Sequence, residues 1–295
     1  MRLCVRSVGP LTLGRCANLP TKPNAGAVSA AVLRLRSGVF WGEAALQPHR
    51  SHSWLNAKTK ACDPQAFAEQ VETVCTLYAD APLLHQIGGH VVSCDELTAI
   101  QTLERIAPTQ PMQPGQVERR EFEYIRHGTL SLITNFEVAS GQVLSPSLGP
   151  TRTDADFAAH IARTIATDAE AVWVFVTDQL NIHQSERLVR LLAERCGLND
   201  DLGVKGQTGI LKSLASRAAY LQDAEHRIQF VYVPKHTSWL NQVEIWLGIL
   251  VRRVIRRENF TSLDDLRTKI LNFIAYFNRT AKPFRWTYAG RPLTI

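Results

Sequence analysis

The chain has 295 residues, 45% of them hydrophobic and 20% charged, which suits one large or two ordinary globular domains and excludes a disordered or fibrous protein. Its apolar runs fall far short of the roughly 20 residues of a membrane span, and Gly9, Pro10, Gly14 and Arg15 interrupt any signal core. The six cysteines lack CxxC spacing, so free thiols in a reducing, cytoplasmic setting are expected.

Charge is unevenly placed. The formal net charge is +6, and before Glu43 every charged residue is basic: Arg2, Arg6, Arg15, Lys22, Arg34 and Arg36. Without those six the basic and acidic residues are equal in number, so any grip of the body on nucleic acid has to come from local patches. Residues 1–41 read as a flexible basic leader and 42–89 as a helical linker region. Within the linker, Asp63 and Pro64 supply an N-cap and a first helical position, and Phe67, Val71, Val74 and Tyr78 predict a helix over 64–79. His49 and His52 have HxxH spacing, but no cysteine or acidic partner lies nearby to complete a zinc site.

From residue 90 to 295 the signals are those of one folded domain. His90 to Asp95 reads as a strand, and residues 129–145 as an antiparallel hairpin turning at Ser140 and Gly141. Thr153 and Asp156 form a capping-box pattern ahead of a helix that buries Phe157, Ile161 and Ile165. Ala171 to Val176 is a continuous apolar strand, followed by a helix marked by Leu188, Leu191, Leu192 and Cys196. Residues 197–227 read as an insertion with a short helix near 210–222. IQFVYVP gives a further strand, Trp239 to about Arg257 a helix, and Ser262 with Asp265 caps a last helix carrying Leu266, Ile270, Phe273 and Phe277. Three strands joined by antiparallel connections and then alternating helices and strands predict an α/β fold, a mixed sheet with helices on both faces. This is the ribonuclease H-like architecture.

Three segments each deliver a carboxylate: HVVSCDE with Asp95, AVWVFVTD with Asp178, and SWLNQVEIW with Glu244. The two aspartates end apolar runs typical of buried strands, while Glu244 stands at a helix start. Gathered together they repel at neutral pH, unless one is protonated or cations fill the gap. Two hard cations such as Mg²⁺ or Mn²⁺ suit oxygen ligands and phosphodiester chemistry. Glu96, beside Asp95, is an alternative ligand. His183, Lys235 and His236 are candidates for phosphate or carboxylate contacts, with structural or solvated roles as the plainer readings. Arg252, Arg253, Arg256 and Arg257 would form two i,i+4 pairs along one side of a helix, either a phosphate rail or a solvated face. Trp239, Trp246, Phe273 and Phe277 read as core rather than as base-stacking residues.

The blocks CDELTAIQTLER, VTDQLNIHQSERL and VPKHTSWLNQVEIWLGIL, with QPHRSHSWLN ahead and YFNRTAKPFRWTY behind, resemble the DDE transposases of the mariner-like superfamily of bacterial insertion sequences. The resemblance runs from about Gly42 to Ile295. It implies that Asp95, Asp178 and Glu244 are catalytic and metal-binding, with Asp95 bridging two ions. It also implies double-stranded DNA as partner (terminal repeats and a TA target), a homodimer pairing two ends, and action in the bacterial cytoplasm at the nucleoid. Two departures stand out. Gln179 occupies the place where the family usually has Asn, and the leader is a remnant or replacement of the helix-turn-helix region. A nuclease without strand transfer and a catalytically silent DNA-binding remnant are the alternative functions.

Overall fold

A computed structural model of the chain describes residues 63–288. The leader, His49, His52 and the start of the linker region lie outside the described residues. Helix α1 (Pro64–Gln86) opens as the sequence predicts, the Asp63 side chain accepting from the Ala66 amide at 3.0 Å. It continues past residue 79 because Ala81 is buried along the same face, and it tolerates Pro82.

Five strands form one mixed sheet in the order β3-β2-β1-β4-β5. Strand β1 (Gly89–Arg105) pairs antiparallel with β2 (Tyr124–Glu137), which pairs antiparallel with β3 (Val143–Gly149). On its other side β1 runs parallel to β4 (Val172–Thr177), and β4 parallel to β5 (Ile228–Tyr232). The predicted turn at Ser140 and Gly141 joins β2 to β3. Gly141 has φ 74°, and a Cβ there would collide with the Lys282 carbonyl.

The first strand does not stop at Asp95. It continues to Arg105 as a two-stranded arm with β2, and the register shifts between Leu97 and Ile100, where Ala99 has φ 55°. A bulge of this kind displaces the period-2 pattern by one residue, which hid the extension from a reading by alternation.

Helices cover both faces. On one, α2 (Asp154–Ile165), α3 (Glu186–Cys196) and α4 (Leu214–Leu221) pack over Val92, Trp173, Phe175 and Phe230. The Thr153 and Asp156 capping box of α2 is formed. On the other face α1 lies over Val91, Val174 and Val176. Helices α5 (Gln242–Leu250) and α6 (Leu263–Arg279) lie over Leu130, Leu132 and Phe136. This is the ribonuclease H-like arrangement that the order of elements predicts. No described helix is long and apolar enough to cross a membrane.

The 197–227 segment packs into the core, with Leu211 and Leu221 fully buried beneath α3. Within it, buried Arg217 donates to the carbonyls of Gln184 at 2.7 Å and Leu211 at 3.0 Å. The helix expected from Trp239 to Arg257 is broken into a 3-10 turn (Ser238–Leu240), α5 and a π-helical stretch (Val251–Ile255). Trp239 is 49% exposed rather than core, whereas Trp246 is fully buried.

Candidate active site

Strand parity and register decide where the aspartates lie. Along β1, Val92 and Cys94 point to the α2/α3 face, which leaves Val91, Ser93 and Asp95 for the opposite one; along β4, Trp173 and Phe175 point to the first face, and Val174 and Val176 to the second. The parallel pairing sets Val91 beside Val174 and Ser93 beside Val176. Continued by two residues, the register reaches Asp95 and Asp178. Both thus stand at one level on neighbouring strands, which in sheets run about 4.8 Å apart.

The third carboxylate comes from α5, whose entry is pinned to β1 by one buried amide. Asn241, at the N-cap position, donates from Nδ2 to the Cys94 carbonyl at 3.0 Å and to Asp95 Oδ2 at 3.2 Å. Its Oδ1 accepts from the Ser93 hydroxyl, which in turn accepts from the Val243 amide at 2.8 Å. Tyr78 of α1 braces the same loop, its hydroxyl donating to the Leu240 carbonyl at 3.0 Å. Glu244 follows in the first helical turn, exposed and on the side of the trio.

The electrostatics are those of carboxylates sharing one neighbourhood. Burial pushes the Asp95 carboxyl up to about 7, opposed by the Glu96 amide that bonds it and reinforced by the charges of Asp178, Glu244 and Glu96. Glu244 is raised too, by partial burial and then by Asp178. Among the described residues neither Asp95 nor Glu244 has a cationic side chain for a partner. An all-oxygen donor set with uncompensated charge fits hard divalent cations. Among the described residues, three ligand atoms all within 4.8 Å of one another are found at His85, His90 and Glu137 and not at the trio.

Asp178 differs from the other two. Burial raises its carboxyl, but the hydrogen bond and charge of His183 and the Leu180 amide outweigh it and hold the group below the usual range. His183 is fully buried, with Nδ1 at 2.7 Å from Asp178 Oδ1 and Nε2 at 2.8 Å from Glu96 Oε1. Burial favours its neutral form, yet the two carboxylates win and raise the imidazole to about 10. The Glu96 side chain is buried against His183, with Arg152 at 3.5 Å. Of the adjacent acids, Glu96 faces the His183 side and Asp95 the Asn241 side.

Sequence reasoning missed Ser93, Asn241, Arg152 and the bridging place of His183. The only available signal for Asn241 was its position three residues before Glu244, where an N-cap belongs. The Gln179 side-chain amide donates to the Val233 carbonyl at 3.1 Å, tying the ends of β4 and β5 together. Lys235 and His236 are exposed on the loop leaving β5, at the sheet end that carries Asp178, and His236 holds φ 65°. Arg252, Arg253, Arg256 and Arg257 are all exposed, Arg252 and Arg253 within the π-helical stretch and Arg256 and Arg257 just after it.

A family model described as DDE superfamily endonuclease matches residues 90–267. No curated protein matches the sequence. Among solved structures, the Mos1 mariner paired-end complex with Mn is 13% identical with a TM-score of 0.46, over 86% of this chain and 73% of that one. The catalytic domain of Mos1 mariner transposase is 10% identical with a TM-score of 0.45, over 77% of this chain and 85% of that one. At these values the likeness is too remote to support comparison residue by residue.

Proposed function

From the premise that this chain belongs to the DDE superfamily of endonucleases, we propose that it is a DNA transposase that cuts the ends of a mobile element and joins them to target DNA at TA. The observation that carries this reading is the parallel register of β1 with β4, which, continued two residues past Ser93 and Val176, brings Asp95 level with Asp178, together with the bonds of Asn241 to Asp95 and the Cys94 carbonyl at the start of the helix that bears Glu244.

Asp95, Asp178 and Glu244 would hold two Mg²⁺ or Mn²⁺ ions. When bound, such ions activate a water or a 3′ hydroxyl and stabilise the leaving oxygen of a phosphodiester. The chain's own contribution is placement. Ser93 and Asn241 fix Asp95 and the start of α5, and His183 orients the Asp178 carboxylate while keeping it ionised. Exposed Lys235 and His236 lie at the same end of the sheet, where they would meet the phosphates of double-stranded DNA. Two copies would pair two ends.

The test uses the full chain and duplexes carrying the terminal repeats that flank its own gene, pre-cleaved or intact, with Mg²⁺ or Mn²⁺ and a TA-containing plasmid. Joined products at TA support the reading. Cleavage without joining would make the protein a nuclease, and binding without either would make it a silent remnant.

A further inference from the structure

We propose that His85, His90 and Glu137 form a second metal site, of zinc type, at the end of the sheet opposite the carboxylate trio. His90 precedes Asp95 by five residues on β1, which at about 3.3 Å per residue separates the two places by roughly 17 Å. Three elements meet there: the last turn of α1 gives His85, the start of β1 gives His90, and the end of β2 gives Glu137.

Each offers one ligand atom, and these atoms lie within 4.8 Å of one another. Glu137 Oε1 is 3.5 Å from His85 Nδ1 and 2.5 Å from His90 Nδ1. Around a tetrahedral ion with bonds of about 2.0 to 2.1 Å, ligand atoms stand roughly 3.3 to 3.5 Å apart. The first separation already matches. The second is a hydrogen bond in which a proton sits between the two atoms, and an incoming cation would displace that proton and widen the gap.

The surroundings are built as the supporting shell of such a site is built. Glu137 is buried, with a side chain only 5% exposed, and its second oxygen accepts from the Ser140 hydroxyl. The His90 ring is stacked on Trp173 at 4.2 Å between centroids, which fixes its plane. Its far nitrogen, Nε2, faces Asp168 Oδ2 at 3.5 Å, and Asp168 is itself anchored through its carbonyl, which accepts from the Trp173 indole at 2.9 Å. A carboxylate behind a ligating histidine sets the tautomer that frees the other nitrogen for metal. His85 is 44% exposed, so ions reach the site from solvent. Two imidazoles and one carboxylate favour Zn²⁺ over the hard cations suited to the trio. Binding would clamp the end of α1 to both central strands.

The experiment uses the full chain carrying Asp95→Asn, Asp178→Asn and Glu244→Gln, so that the carboxylate trio no longer competes for the ion. Zn²⁺ calorimetry and Co²⁺ visible absorption are read together. The proposal expects one equivalent of Zn²⁺ and a tetrahedral cobalt spectrum. Adding His85→Ala, at an exposed helix end that leaves the circular dichroism spectrum intact, should weaken Zn²⁺ at least tenfold, and Asp168→Asn about tenfold. No stoichiometric Zn²⁺ in the triple variant, or equal affinity with and without His85, would overturn it. Loss of transposition or cleavage has no bearing on either readout.

Discussion

The Asn241 side chain donates to Asp95 Oδ2 at 3.2 Å and to the Cys94 carbonyl at 3.0 Å, so the residue that starts α5 is bonded to the strand carrying the first aspartate. Glu244 is therefore placed by the backbone behind it rather than by contacts of its own carboxylate. Replacing Asn241 with Ala removes these bonds and leaves the Ser93 hydroxyl with a missing acceptor. A loss of about 1 to 3 kcal/mol in denaturant unfolding is expected, with a 10- to 100-fold fall in cleavage at saturating metal. Unchanged cleavage in a folded variant would show that Glu244 is positioned by other means.

His183 joins Asp178 to the buried Glu96, and its removal strands an acid. His183→Ala should cost about 3 to 5 kcal/mol, as expected when one partner of a buried ion pair is deleted. The double variant His183→Ala with Glu96→Gln should recover a good part of that loss. Urea unfolding of the four proteins in the cycle measures it, and strict additivity would show that the pair is not coupled.

Acid sensitivity should reside partly in His160. It is fully buried, with Nδ1 bonded to Ser147, and burial followed by the nearby Arg163 charge lowers its imidazole to about 3. The folded value lies below the unfolded one, so the unfolded chain takes up the proton first. This contribution to stability is complete above about pH 6.5 and is lost as pH falls from there toward 3, at up to about 1.4 kcal/mol per unit. His160→Gln should flatten that limb of the stability curve, and an unaltered slope would contradict the assignment.

The four arginines after α5 are exposed, in and just beyond the π-helical stretch. If Arg252 and Arg253 each meet a phosphate, the Arg252→Ala, Arg253→Ala variant should bind duplex DNA with a salt slope shallower by up to about 1.8. Cleavage at saturating DNA should stay within about twofold. Fluorescence anisotropy across a salt series provides the slope, and an identical one would leave these residues as a solvated face.

How much of this the sequence disclosed depended on how local the cause was. Caps and strand alternation are short-range, so Asp63, Thr153 and Ser262 marked helix starts and the Ala171 to Val176 run marked a strand. Asp178 follows the end of β4 and Glu244 stands in the first turn of α5, as the sequence suggests, whereas Asp95 lies inside β1 rather than at its end. The common level of the two aspartates was not legible, since it depends on the pairing of Ser93 with Val176, a contact across 83 residues of chain. The strand beyond Asp95 was concealed by the bulge at Ala99, and the π-helical stretch by a sequence that reads as ordinary helix. Trp239 was misjudged because an aromatic residue near a helix start carries no sign of which way its loop turns.

The account turns on whether three acids act as one metal-dependent centre. The direct measurement is Mg²⁺-dependent cleavage of the gene's own terminal repeats by Asp95→Asn, Asp178→Asn and Glu244→Gln, each checked for folding and for DNA affinity. Each variant is expected to lose cleavage by at least a thousandfold (about 4 kcal/mol of barrier) while binding DNA within a few-fold of the parent. Cleavage at the parental rate by a folded Glu244→Gln protein would contradict it.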